Sequence, residues 1–139
     1  MTISFNYKKV DRPPPLEPDY SPMLPVTLQY KDKSVDVLAL LDSGADTLVV
    51  PKGIAEILGI DLSGQKETVI GIGKAEAIDT TIDLILQHKY NKYHIRAEAK
   101  VILTANDSFP VLLGRADFFE AFHITFKENE KKVSLKHVK

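Results

Sequence analysis

The amino-acid sequence predicts a mostly β protein that folds as a small closed barrel with one or two short helices. Short runs rich in β-branched residues recur from position 26 onward, and polar or glycine-containing turns separate them. One run places apolar or β-branched side chains at every second position, which predicts a long strand with one buried face. Its members are Ile78, Thr80, Ile82, Leu84 and Leu86. With 139 residues, 44% of them hydrophobic, the chain has the length and composition of one globular domain.

The N-terminal segment is predicted to be a short strand followed by an extended connector. Residues 2–9 alternate loosely and contain β-forming side chains. Residues 11–25 hold six of the eight prolines, which disfavours both a helix and a central strand there. We therefore divide the chain into an N-terminal strand with a proline-rich connector, residues 1–25, and a main domain, residues 26–139.

The first part of the main domain is predicted to contain three strands and a helix. Residues 26–30 and 34–41 flank a polar Lys-Asp-Lys turn, which predicts a hairpin. Residues 47–51 form another short β-branched run. Residues 52–60 place apolar side chains at i, i+3 and i+4, and Gly59 interrupts the run, so a short amphipathic helix is predicted there.

The second part continues with strands. Residues 66–86 predict two strands that reverse direction at Gly71 and Gly73. A polar turn follows, residues 93–103 predict the returning strand, and residues 111–114 predict a short buried strand.

The C-terminal part is predicted to begin with a helix and to end with a hairpin. Residues 115–122 have helical character, and their phenylalanines are spaced to pack into a core. Residues 123–138 predict a hairpin that turns at the polar residues 128–130.

Composition and charge exclude several classes of function. The chain has 18 basic and 19 acidic residues, a net charge of −1, which gives no electrostatic basis for binding nucleic acid or an anionic membrane. It has no cysteine, which excludes disulfides, zinc–thiolate sites and thiol catalysis, and its four histidines show no metal-ligand spacing. The N-terminus resembles no secretory signal and no run is apolar enough to span a membrane. We expect a cytoplasmic protein without a cofactor or metal.

The most informative segment joins two apolar runs through Asp42, Ser43 and Gly44. A carboxylate at the end of a buried strand is costly unless something neutralises or uses it. Gly44 lets the backbone turn closely around this carboxylate, and Ser43 supplies a short hydroxyl that can brace the loop. Taken alone, Asp-Ser-Gly also fits an ordinary turn between two strands.

A second segment favours the functional interpretation of Asp42 over an ordinary turn. The sequence Val-Leu-Leu-Gly-Arg at 111–115 follows the Asp-Ser-Gly-Ala loop and an intervening glycine-bearing hairpin, in that order. Together these segments resemble a retropepsin, the single-lobe aspartic protease family of the retroviral proteases and their cellular relatives. The resemblance covers roughly residues 26–127 and implies an acid-protease-type barrel that functions as a homodimer.

The resemblance implies an aspartic endopeptidase whose catalytic residue is Asp42. The chemistry needs one charged and one protonated carboxylate facing a water molecule, and one chain carries a single Asp-Ser-Gly. Each subunit of a homodimer would therefore supply one Asp42, with a peptide or protein as the substrate. By the same resemblance, Ser43 and Gly44 support the loop, and the Ser43 hydroxyl contacts the partner loop.

The resemblance also assigns substrate-binding residues. Ala45 and Asp46 follow the catalytic loop, where Asp46 would hold substrate backbone amides and pair with Arg115. The segment Gly71-Ile72-Gly73 resembles the tip of the flap, a hairpin that closes over bound peptide. One alternative stays open: a retropepsin-fold module that dimerises or binds peptide without cleaving it. A weaker one is a barrel that serves only as scaffold in a larger assembly.

Overall fold

A computed structural model describes residues 1–71, 73–104 and 109–138 of the chain. Strands dominate it. They are β1 (Thr2–Asn6), β2 (Lys8–Val10), β3 (Asp19–Ser21), β4 (Met23–Tyr30), β5 (Lys33–Leu41), β6 (Leu48–Pro51), β7 (Lys66–Gly71), β8 (Gly73–His88), β9 (Asn91–Ile102), β10 (Val111–Leu113), β11 (Phe122–Lys127) and β12 (Lys132–His137). Within these residues, the α-helix α1 (Lys52–Ile57) and a 3₁₀ turn (Glu128–Glu130) accompany them.

Six strands form a closed barrel. They follow one another in the order β4, β5, β10, β6, β9 and β8, and a pairing between β4 and β8 closes the ring. Closure satisfies the hydrogen-bonding groups that an open sheet would leave at its edges. The prediction of a mostly β protein with a closed barrel and short helices is confirmed.

The alternating pattern of β8 gives this strand one face for the core, while its backbone pairs with β9, β7 and β4. Ile78, Ile82, Leu84 and Leu86 are all at most 2% exposed and point into the barrel. Side chains on a strand alternate between its faces, so the residues between them face outward. The strand pairs with β9 along most of its length and with β4 near its end.

The hairpin of β7 and β8 extends beyond the barrel. β7 pairs with β8 from Lys66 opposite Ile78 to Gly71 opposite Gly73. The predicted reversal at the two glycines therefore lies at the tip of this hairpin. We call residues 66–71 and 73–78 the flap hairpin; Ile72, which the sequence analysis placed at its tip, lies outside the described residues.

The two ends of the chain meet in a separate three-stranded sheet. Its order is β1, β12 and β11, and all its pairs are antiparallel. Ile3 and Phe5 of the first strand and Val133 and Leu135 of the last are buried in the same core as the barrel. Burying four apolar side chains gives this long-range pairing a substantial hydrophobic contribution.

The segment after β10 agrees with its prediction only in part. A helix was expected over residues 115–122; the structure has a short π-helical segment, Arg115–Phe119, distorted at Ala116 and Asp117 by non-helical backbone angles, and residues 120–121 continue in helical conformation. Phe118 and Phe122 are nevertheless 2% exposed, as expected for core residues. Within the described residues, no helix is long and apolar enough to cross a membrane.

Candidate active site

Two strands that run parallel fix the position of Asp42. β10 pairs in parallel with the end of β5, and Leu113 lies opposite Leu41. The ladder continues one step further, because the Asp42 backbone N–H donates to the Leu113 carbonyl at 2.9 Å. The carboxylate therefore emerges from the end of a buried strand whose backbone is held on one side by β10.

The turn after Asp42 is built around its own carboxylate. The Gly44 N–H donates to Asp42 Oδ1 at 2.9 Å, and the Ala45 N–H donates to the Asp42 carbonyl at 3.1 Å. A Cβ on Gly44 would lie 3.1 Å from Asp42 Oδ1, a tighter contact than most side chains make. Glycine at this position thus lets the backbone donate directly to the carboxylate.

Arg115 ties the far side of the same loop to the segment after β10. Its Nη1 donates to the Ser43 carbonyl at 2.7 Å, and its Nη2 forms an ion pair with Asp46. The backbone N–H groups of Arg115 and Ala116 donate to the carbonyls of Ala45 and Asp46 at 2.9 and 2.8 Å. Four bonds therefore hold the loop, and the ion pair is only one of them.

Gly114 permits this close approach. A Cβ at this position would lie 2.3 Å from the backbone carbonyl oxygen of Thr47 and 2.7 Å from its nitrogen. No side chain fits there without moving the backbone at the start of β6. The apolar-apolar-Gly pattern thus reflects the direct contact of two backbone segments.

A groove of about 610 Å³ lies between the Asp42 loop and the flap hairpin. Asp42 is half-buried at its surface, beside Gly44, Ala45 and Asp46. The other side chains that line it come from β6, the flap hairpin, β9 and the segment around β10: Thr47, Val49, Val69, Ile70, Lys74, Ala75, Lys100, Ile102, Phe109 and Leu112. Its walls are largely apolar and its polar groups few, as in sites that bind organic ligands.

A comparison with solved structures identifies this architecture. Over 97% of its length the chain is similar to the crystal structure of a retropepsin-like aspartic protease from Rickettsia conorii, with a TM-score of 0.63, 16% sequence identity and 90% of that chain covered. The chain has a retropepsin-like fold. A structure of EIAV protease complexed with the inhibitor HBY-793 aligns with 68% of this chain and 82% of that chain, at 26% identity and a TM-score of 0.45. No family model and no curated protein matches the sequence.

The retropepsin-like fold brings together most residues that the sequence analysis singled out. Asp42, Gly44, Ala45 and Asp46 line one groove, and the Ser43 side chain is exposed at the tip of the same loop. Gly71 and Gly73 face each other across the end of the flap hairpin. Among the described residues, no three histidine, aspartate or glutamate side chains gather closely enough to hold a metal ion.

Sequence reasoning missed one group at this site. Lys100 lines the groove from β9, and its ammonium binds the carboxylates of Glu67 and Asp79. The hydrogen bond that Lys100 donates to Glu67, followed by the one that it donates to Asp79, raises the pKa of Lys100 above its ordinary value. These residues lie on three strands, so no spacing along the chain could have revealed the cluster. The period-2 relation of Lys100 to the groove-lining Ile102 was the one available signal.

Proposed function

We propose that this chain is an aspartic endopeptidase that acts as a homodimer, with one Asp42 contributed by each subunit. The observation that carries the proposal is the placement of Asp42. Asp42 lies half-buried in a peptide-sized groove, the Gly44 N–H donates to its carboxylate, and its own N–H donates to the Leu113 carbonyl, which fixes its backbone. A carboxylate held rigidly in a largely apolar groove is suited to acid–base chemistry.

The dimer supplies the second carboxylate that the reaction needs. With two Asp42 side chains at the two-fold axis, one is charged and the other protonated, because two adjacent like charges repel. The charged carboxylate takes a proton from a water molecule, which attacks the peptide carbonyl carbon. The protonated carboxyl donates its proton to the carbonyl oxygen, giving a neutral tetrahedral intermediate. That intermediate collapses when the carboxyl that took the water's proton donates it to the nitrogen, the other carboxylate takes a proton from a hydroxyl of the intermediate, and the C–N bond breaks to give a carboxylic acid and an amine.

The exposed part of the loop is available to complete the dimer. Ser43 lies next to Asp42, and its side chain is exposed in the single chain. In the proposed dimer its hydroxyl braces the partner loop across the axis, while Gly44 keeps its backbone bond to the carboxylate.

The groove suits an extended peptide with apolar side chains near the scissile bond. Val49, Val69 and Leu112 provide apolar walls on either side of the catalytic loop. Ala45 and Asp46 lie at the groove surface, where they would contact the substrate backbone. Gly71, Ile72 and Gly73 would close over the peptide from the flap, as the resemblance implies.

A second function shares the same fold and groove: a module that dimerises or binds peptide without cleaving it. One observation favours it. The strands at both chain ends already pair within one chain, β1 with β12, so the sheet at the chain ends forms without a partner subunit. The geometry of any dimer then decides whether the two Asp42 side chains meet.

The experiment that separates the two functions is a peptide-library digest with wild type, Asp42→Asn and Asp32→Asn. Asp32 is an exposed turn residue and provides a matched charge control. We expect wild type and Asp32→Asn to cleave the same peptides, and Asp42→Asn to lose at least about a thousandfold in kcat/KM. Sedimentation at assay concentration should show a dimer. Residual cleavage by Asp42→Asn within tenfold of wild type would refute the proposal. Peptide binding without cleavage by any variant would establish the second function.

A further inference from the structure

Three charged side chains from three neighbouring strands meet at the base of the flap hairpin. The Lys100 Nζ donates to Asp79 Oδ1 at 2.9 Å and also to the Glu67 carboxylate. Lys100 is the least exposed of the three, with 26% of its side chain accessible. Both carboxylates raise the pKa of Lys100, so its ammonium stays charged at neutral pH.

The sheet register places this cluster on the face that borders the groove. Glu67 lies opposite Ala77, and Asp79 lies opposite Lys100. Because side chains two apart share a face, Glu67 is on the same side as Val69, which lines the groove. Lys100 lines the groove itself.

The Glu67–Lys100 pair spans a whole strand. β8 lies between β7 and β9, so the outer strands are about 10 Å apart. The two long side chains reach each other because Ala77, which lies between them on this face, is short. Among the described residues, β7 has strand pairing only with β8, so this ion pair is a second attachment of β7 to the barrel.

Lys100 also connects the pair to the catalytic loop. It lies opposite Val49 in the parallel pairing of β6 with β9. β6 begins six residues after Asp42, and Val49 lines the same groove. A displacement of the flap relative to β9 is therefore a displacement relative to the wall beside Asp42.

We propose that the Glu67–Lys100 ion pair is a positioning contact, which sets how the flap hairpin lies over the Asp42 groove and so controls peptide affinity. Asp79 keeps the Lys100 ammonium in place for this contact. The inference rests on the proposed endopeptidase function, since it assigns the pair a role in binding that substrate. The pair is partly exposed, so its contribution is modest and sensitive to salt.

The kinetic test compares Glu67→Gln with Glu76→Gln at low and high salt. Glu76 is an exposed glutamate on the opposite face of the same hairpin, and within the described part of the chain it makes no ion pair. We expect Glu67→Gln at low salt to raise KM about three- to fivefold with kcat within twofold, the scale of one partly exposed pair. Adding salt should raise the wild-type KM toward that of Glu67→Gln and leave the variant nearly unchanged. An unchanged KM in Glu67→Gln, or an equal rise in Glu76→Gln, would overturn the proposal.

A second measurement needs no catalysis. Hydrogen exchange of the amides of residues 66–71 should be about three- to fivefold faster in free Glu67→Gln than in wild type, with β4 and β5 unchanged. If the wild type cleaves no peptide but this difference is found, the proposed function fails and the positioning contact stands. If exchange is unchanged, the positioning contact is overturned even for an active enzyme.

Discussion

Replacing Gly114 with alanine tests the contact that joins the two halves of the candidate site. The new Cβ would lie 2.3 Å from the Thr47 carbonyl oxygen and 2.7 Å from both the carbonyl carbon and the nitrogen of the same residue. Side-chain carbons essentially never approach heavy atoms closer than 3.0 Å, so the two backbones must separate by at least about 0.7 Å. Neither segment can yield easily, because β10 pairs with both β5 and β6.

The expected change in the free energy of unfolding of Gly114→Ala is the difference between two opposing effects. Forcing an extra methyl group into a packed region costs about 1–3 kcal/mol, and a clash with backbone belongs at the upper end of that range. Alanine also restricts the unfolded chain, which returns about 0.4–1 kcal/mol. We expect Gly114→Ala to lower the free energy of unfolding by about 2 kcal/mol, enough to measure in a domain that stays folded.

Gly64→Ala is the matched control. A Cβ at position 64 would meet no atom within 4 Å, and the backbone there has no positive φ angle. Its free energy of unfolding should equal that of wild type or exceed it by up to about 1 kcal/mol. Urea denaturation followed by circular dichroism, at one fixed protein concentration because of the proposed dimer, gives both values. If Gly114→Ala loses less than about 0.5 kcal/mol, the argument from backbone contact is wrong.

Two further predictions concern pH. The dependence of kcat/KM on pH should be bell-shaped. Ala45→Ser should move both limbs of the profile to lower pH, because a hydroxyl that donates to the Asp42 carboxylate favours its charged form. A shift of the profile to higher pH would contradict the shared-proton mechanism. Burial, together with the Glu128 carboxylate, raises the pKa of Tyr7 above its usual 10.0. As pH rises above about 10, the unfolded chain therefore loses the Tyr7 proton before the folded chain does, and the free energy of unfolding falls. Tyr7→Phe should remove this part of the fall in urea midpoints between pH 8 and 11, and parallel curves for the two proteins would count against it.

The sequence alone was sufficient to predict those elements whose pattern depends only on neighbouring residues. The alternation that defines β8 and the apolar run that ends at Asp42 each depend on consecutive residues, and the structure agrees with both. The segment after Gly114 shows the limit of such reasoning. Its phenylalanine spacing predicted a helix, but the first turn is distorted: Ala116 and Asp117 have non-helical backbone angles. The N–H groups of Arg115 and Ala116 donate to carbonyls of the Asp42 loop, a tertiary contact that the local pattern does not specify.

Pairings between distant residues could not be predicted in the same way. The sheet at the chain ends joins Ile3 to Leu135, and nothing local specifies that register. The cluster of Glu67, Asp79 and Lys100 likewise depends on two strand registers at once. A shift of either register by one residue would turn a member of the cluster to the other face.

The two motifs that suggested the protease were informative together because they are parts of one hydrogen-bonded unit. The Asp42 N–H donates to Leu113, and the N–H of Arg115 donates back to Ala45, so the loop is bonded on both sides of the turn to β10 and the residues that directly follow it. Neither segment could hold the carboxylate alone: Asp-Ser-Gly provides the turn, and the apolar-apolar-Gly strand provides the surface against which it is fixed. A chain with only the first motif would have an ordinary turn. A chain with both has a carboxylate whose backbone is anchored before any partner subunit binds, which is the preorganisation that the proposed reaction requires.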